Sequence, residues 1–306
     1  RHQAQARRIQ AQDMLDAARI GVISQLAVDY YMLQMLDRRV AILEENIREW
    51  NRNLAVQDEL MYAGKVFYSA AAQMESKVLD ARRNLVQTRA DILTLERAIC
   101  LILGRPIRTI VRSEFASFPL PTGVEDGVTI AQLRRRPDVR AAERDLEIAY
   151  YLTSESLSAF YPAIRLSGDF GWPTLVRSII TLVQPVFAQG TLKCRLNISE
   201  MDMEVAQLQF TQILLEAATE VSQALADHKL YKDRQAVFAR QEAVQSKAYM
   251  IVDDLSRNGK ANYLEVIKAQ EKLLDAQIDG CTSRYKAREA AIMLFKALSP
   301  ADGYPQ

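Results

Sequence analysis

The dipeptide Gly-Lys interrupts an otherwise helical pattern twice, at Gly64-Lys65 and at Gly259-Lys260, and the two breaks lie 195 residues apart. A lone glycine inside a helix costs about 1 kcal/mol relative to alanine and reads as a tolerated defect. Two in matching context need a common cause. Shifting the chain by 195 positions superposes Tyr68 on Tyr263, Glu75 on Gln270, Leu79 on Leu274, Ala81 on Ala276 and Leu103 on Leu298, without a gap. Upstream it brings Asp58 onto Asp253 and Leu60 onto Leu255, and both tracts stop 40 residues past the glycine, at Gly104 and Ser299. The sequence therefore predicts a tandem repeat of helix, glycine turn, helix. The glycines mark the reversal between antiparallel helices, where a left-handed residue ends one and starts the next.

Apolar residues recur every seven positions: Val78, Leu85, Ile92 and Ile99 in one column, and Phe210, Ala217, Ala224, Tyr231 and Phe238 in another, with Leu214 and Val221 beside it. Sustained sevens mean helices lying along one another at shallow angles. A further column, Leu79, Val86, Leu93 and Cys100, is expected to be core, with Cys100 a small apolar residue in it. A helix from about Leu192 to Leu255 would be roughly 95 Å long at 1.5 Å per residue. Such hairpins exceed what a globular core needs, so their tips are exposed.

The second repeat has a preface. After Pro137 comes a helix with Val139, Leu146, Thr153 and Phe160 seven apart. The segment YPAIRLSGDFGW then alternates, with Ile164, Leu166, Phe170 and Trp172 on one face and Arg165, Ser167 and Asp169 on the other. That is the pattern of a strand apolar on one side. SIITLVQPVF reads as a second strand, bent or ended by Pro185. The predicted organisation is a first repeat over 1–104, an irregular crossover over 105–136, and a second repeat over 137–299 with strands at about 163–172 and 178–187, joined by a loop PTLVR. A short tail, 300–306, follows. The first repeat's counterpart of 137–195 would lie before Arg1, so the sequence reads as a fragment or a trimmed periplasmic part.

Composition excludes more than it identifies. With 39 basic and 38 acidic side chains, nothing favours nucleic acid as a partner. No run of eighteen apolar residues marks a transmembrane helix, and the basic start leads into polar sequence rather than the apolar core of a signal peptide. The cysteines Cys100, Cys194 and Cys281 lack metal or disulfide spacing. No nucleotide loop, nucleophile elbow or zinc-protease motif occurs, so no enzyme, catalytic residue, metal site or cofactor is expected. The basic run RRRPDVR has Asp138, Glu143 and Asp145 beside it, which favours an ion-paired helix entry over a phosphate contact.

The stretches LRRRPDVRAAERDL, AFYPAIRLSGDFGW and LVQPVFAQGTL, with the tips LMYAGKVFYSAAAQ and LSRNGKANYLEVIKAQ, resemble the outer membrane factor (TolC-like) family of efflux and secretion channels. Details such as YYMLQMLDRRVAILEENIREW look most like the lipoprotein members from Bacteroides-type bacteria. The resemblance implies a mainly α fold: very long antiparallel helical hairpins, duplicated, forming a trimeric α-barrel, with a small β-barrel portion that two strands per chain cannot close. It implies a passive exit duct in the outer membrane, most of the chain being periplasmic. Its expected partners are two further copies of the chain, a periplasmic adaptor, an inner-membrane pump of the RND type, and outer-membrane lipid met through the full-length barrel.

On this resemblance, Gly64, Lys65, Gly259, Lys260 and Asn262 are the candidate adaptor-docking tips. Asp253, Asp254 and Glu265 form a candidate acidic ring at the pore mouth, where a trimer would repeat each charge three times. Glu265 matches the family's acidic position, whereas Lys268 stands where a second acid is often found. Ile164, Leu166, Phe170 and Trp172 would face lipid. Two other readings stay open: a structural coiled-coil scaffold, which leaves the alternating strands unexplained, and the periplasmic adaptor itself, which normally has one hairpin rather than two.

Overall fold

A computed structural model describes residues 2–62, 68–113, 130–161, 163–171, 174–183 and 189–298. The helices are α1 (His2–Tyr62), α2 (Tyr68–Ile102), the single turn α3 (Ile130–Leu133), α4 (Pro137–Ser158), α5 (Gln189–Arg257) and α6 (Tyr263–Leu298). Between α4 and α5 lies one antiparallel hairpin, β1 (Ala163–Gly171) and β2 (Thr174–Val183). None of the described helices is apolar enough to cross a membrane, which says nothing of a β-barrel. The chain divides into two compact units, residues 1–20, 125–221 and 297–306, and residues 21–124 with 222–296. Each unit draws on both sequence repeats.

In the first unit, α1 buries Ala6, Asp13 and Ile20, one residue per heptad, and α4 buries Val139, Ala142 and Ala149. Arg140 of α4 reaches the buried carboxylate of Asp13 at 2.8 Å. Thr153 of α4 donates to the carbonyl of Ser199 in α5 (3.0 Å), and the Ser199 hydroxyl donates to Ser156 (2.7 Å). Three of the buried positions of α5 in this unit, Ser199, Ala206 and Ala217, are small, which lets helices approach closely, and Val221 is the larger buried residue at its end.

β2 begins four residues earlier than its alternation suggests and ends at Val183. The expected loop PTLVR is largely strand: Gly171 pairs with Thr174, Asp169 with Arg177 and Gly168 with Ser178. Thr174 and Val176 suit a pleated surface, and adjacent Ile179 and Ile180 had blurred the alternation. Pro185 has no N–H for a ladder, consistent with an end before it.

The second unit has a heptad core: Val28, Met35, Ile42, Leu43 and Trp50 from α1, Met74, Val78 and Ala81 from α2, and Ile267, Leu274, Cys281, Tyr285 and Ile292 from α6. Each buried Val, Leu, Ile or Met among them contributes about 1.5–3 kcal/mol. Polar bonds fix the neighbours: Arg89 to Glu44 joins α2 to α1 (2.7 Å), Lys77 to Glu271 joins α2 to α6 (2.5 Å), and Arg284 to Glu242 joins α6 to α5 (2.9 Å).

One expected core column divides. Cys100 is buried, but Leu79, Val86 and Leu93 are exposed. The core shared with α1 and α6 takes Val78 and the partly buried Leu85 and Ile92, with Ile99 of the same column also buried, and the column one residue on sits about 100° further round the helix. Periodicity identified two apolar columns. It could not tell which of them the same chain covers.

Candidate functional site

The second tip is a tight reversal built by its backbone. Gly259 has φ +69°, the left-handed region. Its amide donates to the carbonyl of Ser256 (2.9 Å) and that of Lys260 to Leu255 (2.9 Å), the paired bonds of a Schellman C-cap. Three residues later Asn262 starts α6: its side-chain oxygen accepts from the Leu264 amide (3.2 Å), the N-cap role that asparagine fills well. Asn262 thus has a structural task besides any docking role. Lys260 is exposed. Tyr263, the first residue of α6, is partly buried, and burial together with the charge of Asp58 raises its phenol pKa and keeps it neutral. Gly64 and Lys65 lie outside the described residues.

The three acidic candidates differ. Asp253 is partly buried and paired with Arg257 at 2.7 Å, so its charge is compensated within one helical turn. Asp254 and Glu265 are exposed, and Glu265 stands in the first turn of α6, where a negative charge complements the helix dipole. On β1, Ile164 and Leu166 share a face by alternation and pair with Leu182 and Ile180 of β2. The ladder is irregular between Asp169 and Gly171, so strict alternation is interrupted at Phe170; Trp172 lies outside the described residues.

Three polar networks escaped the sequence reading. Arg136, buried before α4, donates to Asp138 (2.7 Å), to Glu220 of α5 (2.5 Å) and to the carbonyl of Ala297 at the end of α6 (3.0 Å). The expected ion-paired helix entry is present, with Arg134 also bonded to Glu143, and it extends further than expected. In the crossover, Glu96 accepts from the Ile110 amide (3.2 Å) and Arg112 (3.1 Å), Arg112 also meets Asp37 (3.1 Å), and Ser113 is held by Tyr30 and Gln34. These bonds fasten 108–113 along α1 and α2. Finally, Asn46 donates to Gln277 and Asn53 to Gln270, both at 3.2 Å, as amide rungs between α1 and α6. The heptad spacing of 46 and 53, and of 270 and 277, was visible in the sequence; their pairing was not.

A β-hairpin set ahead of a 69-residue helix that reverses at a capped glycine turn is a fold also seen in solved outer membrane proteins. The outer membrane protein VceC of Vibrio cholerae shares it, with a TM-score of 0.87 at 19% identity, over 97% of this chain and 74% of that one. The outer membrane efflux protein family matches residues 131–299, more than half of the sequence, and the chain belongs to that family. Among curated relatives, the cation efflux system protein CusC of Escherichia coli K12 is 23% identical over 299 residues, 92% of this chain and 65% of CusC. The pyoverdine export outer membrane protein OpmQ of Pseudomonas putida is 26% identical over 307 residues, 93% of this chain and 64% of OpmQ. The chain thus spans slightly less than two thirds of these relatives.

Proposed function

We propose that the chain is the larger part of an outer-membrane exit duct: a trimer that passively conducts substrates from an inner-membrane pump and a periplasmic adaptor to the cell exterior. The observation that carries this is membership of the efflux family over 131–299, the segment holding the β-hairpin, α5 and the turn at Gly259. In this reading the duct stands in the outer membrane, with its long helices reaching into the periplasm; the outer-membrane family of the chain supports the first part. No chemical step is needed from the chain, because the pump supplies the energy.

In this reading the tips, Gly64, Lys65, Gly259, Lys260 and Asn262, receive the adaptor. The exposed turn at Lys260 and the left-handed Gly259 support it, since such a turn presents backbone and cation together. Asp254 and Glu265, with Asp253 in a compensated role, line the mouth as rings of like charge in the trimer. The apolar face of β1 that carries Ile164 and Leu166 meets lipid once the full-length protein closes its barrel. The pump is of the RND type.

The test is made in the native cell. Deleting the gene should raise accumulation of an efflux dye, and the full-length protein should restore export. A version lacking Ala163–Val183 should not. Unchanged accumulation after deletion, with every parallel efflux route also removed, would contradict the duct.

A further inference from the structure

We infer that the second unit holds a small oxyanion between α1 and α6, on the guanidinium groups of Arg39 and Arg284 with Arg38 and Arg288 beside them. The site is separate from the tip and the β-hairpin, and it does not rest on the duct reading.

The seam between α1 and α6 runs by sevens. Asn53 bonds Gln270 and Asn46 bonds Gln277, and the residue numbers of each rung add to 323. One heptad further, the same total sets Arg39 of α1 against Arg284 of α6, and the next sets Met32 against Ala291. The column therefore reads amide, amide, like-charged pair, apolar. Facing cations repel, and a partly buried charge without a partner costs free energy. An anion lying on that rung removes both costs.

Arg284 finds part of its compensation within the chain. It reaches Glu242 of α5 at 2.9 Å, and its Nε donates to the carbonyl of Gly280 at 3.3 Å. Gly280 leaves room for this, since a Cβ there would stand 3.1 Å from Oε2 of Glu242. Arg39 has no such outlet: its Nε is buried and has no hydrogen-bond partner among the described residues. The acids next along both helices are engaged elsewhere. Asp37 meets Arg112 (3.1 Å), Glu44 meets Arg89 (2.7 Å), Glu45 meets Arg48, and Glu289 meets Lys286 (2.5 Å). Asp279 is exposed and stands with Asp275.

Other cations converge on the same place. Arg288, one turn on from Arg284, lies over the Tyr31 ring at 5.6 Å from its centroid. Burial, and then the Arg284 charge, lower the Arg288 pKa. Burial raises the Cys281 thiol, and the charges of Arg284, Arg38 and Arg39 oppose that rise. Arg38, Arg39, Arg284 and Arg288 thus gather round Cys281, where Glu242 balances Arg284. Arg38 is exposed, so the edge of the cluster meets solvent. A guanidinium presents its donors as a planar fork that matches two oxygens of one oxyanion, which favours such a ligand over a halide.

The experiment titrates inorganic phosphate into the detergent-extracted, full-length protein by calorimetry at constant ionic strength, with acetate in parallel. A saturable site on each chain is expected for at least one of the two anions. Arg39→Gln should weaken it by roughly tenfold or more, through loss of a charge-assisted bond. Arg82→Gln, at an exposed arginine of α2, should leave it unchanged. Thermal midpoints give a second reading: the parent's should rise with the anion to a plateau, and that of Arg39→Gln should not. Arg39→Lys keeps the charge but loses the fork; it should bind more weakly than the parent, and it takes the place of Arg39→Gln if that variant fails to fold. Heats that do not saturate for either anion, equal binding by parent and variant, or parallel rises in midpoint overturn the site. None of these outcomes touches the duct.

Discussion

Arg136 donates from Nη1 to the main-chain carbonyl of Ala297, 161 residues away, at 3.0 Å. The bond satisfies one of the last carbonyls of α6, which has no helical partner of its own, and sets a cation at the negative end of the helix dipole. The same guanidinium holds Asp138 at the start of α4 and Glu220 in α5. One side chain thus joins three helices of the first unit. Arg136→Ala should destabilise that unit by about 1–3 kcal/mol, the range for leaving buried polar groups unpaired. Arg136→Lys keeps the charge but loses the fork and should recover only part of this, read as denaturant midpoints.

The ion pair sets a pH window. Burial alone would raise the Asp138 pKa, but its hydrogen bond and charge interaction with Arg136, with the Val139 amide, outweigh that and hold it below the usual value. With the folded pKa lowered beneath about 3.9 unfolded, the contribution is complete above that value and is lost as pH falls through the folded pKa. The stability difference between the parent and Asp138→Asn should be flat from pH 8 to 5 and shrink below about pH 4. A difference that changes near neutrality would contradict this.

At the tip, Gly259→Ala meets no atom within 4 Å, so its cost is conformational alone. An L-residue forced to positive φ loses about 1–2 kcal/mol. Gly259→Asn should lose less, because asparagine tolerates this region. Amide exchange in the last turn of α5 reads the effect locally.

The amide rungs should couple. Gln270 is wholly buried, so Gln270→Leu strands the Asn53 amide and should cost about 1–3 kcal/mol. The double variant Asn53→Leu/Gln270→Leu removes both partners and should be less destabilised than the sum of the singles. Additive losses would show that the rung contributes nothing as a pair.

Docking at the tip predicts a split between assembly and export. Lys260→Glu should leave the trimer intact and raise dye accumulation several-fold. Normal export in this variant, and in a matching Lys65→Glu variant, would remove lysine from the docking account.

Much of the fold was legible because two periods are strong signals. Sevens marked the helices, the 195-residue shift marked the repeat, and the glycine turn at Gly259 followed from both. The alternation of Ile164 and Leu166 located β1, whereas β2 was displaced because Ile179-Ile180 breaks the period of two. Sequence could not say which apolar column the chain itself covers, since Val78 and Leu79 look alike until α1 and α6 are in place. Nor could it find Arg136 with Ala297, or Glu96 with Ile110, because bonds to main-chain atoms leave no mark on residue type. Of the site, Asn262 read as a docking residue and is also a helix cap, and Asp253 read as a member of an acidic ring and is paired with Arg257.

The most direct measurement is electron microscopy of the full-length protein extracted in detergent. Hollow three-fold rings in top view, with elongated cylinders in side view, are the expected result. Solid rods or compact particles without a lumen would contradict the duct and leave a helical scaffold in its place.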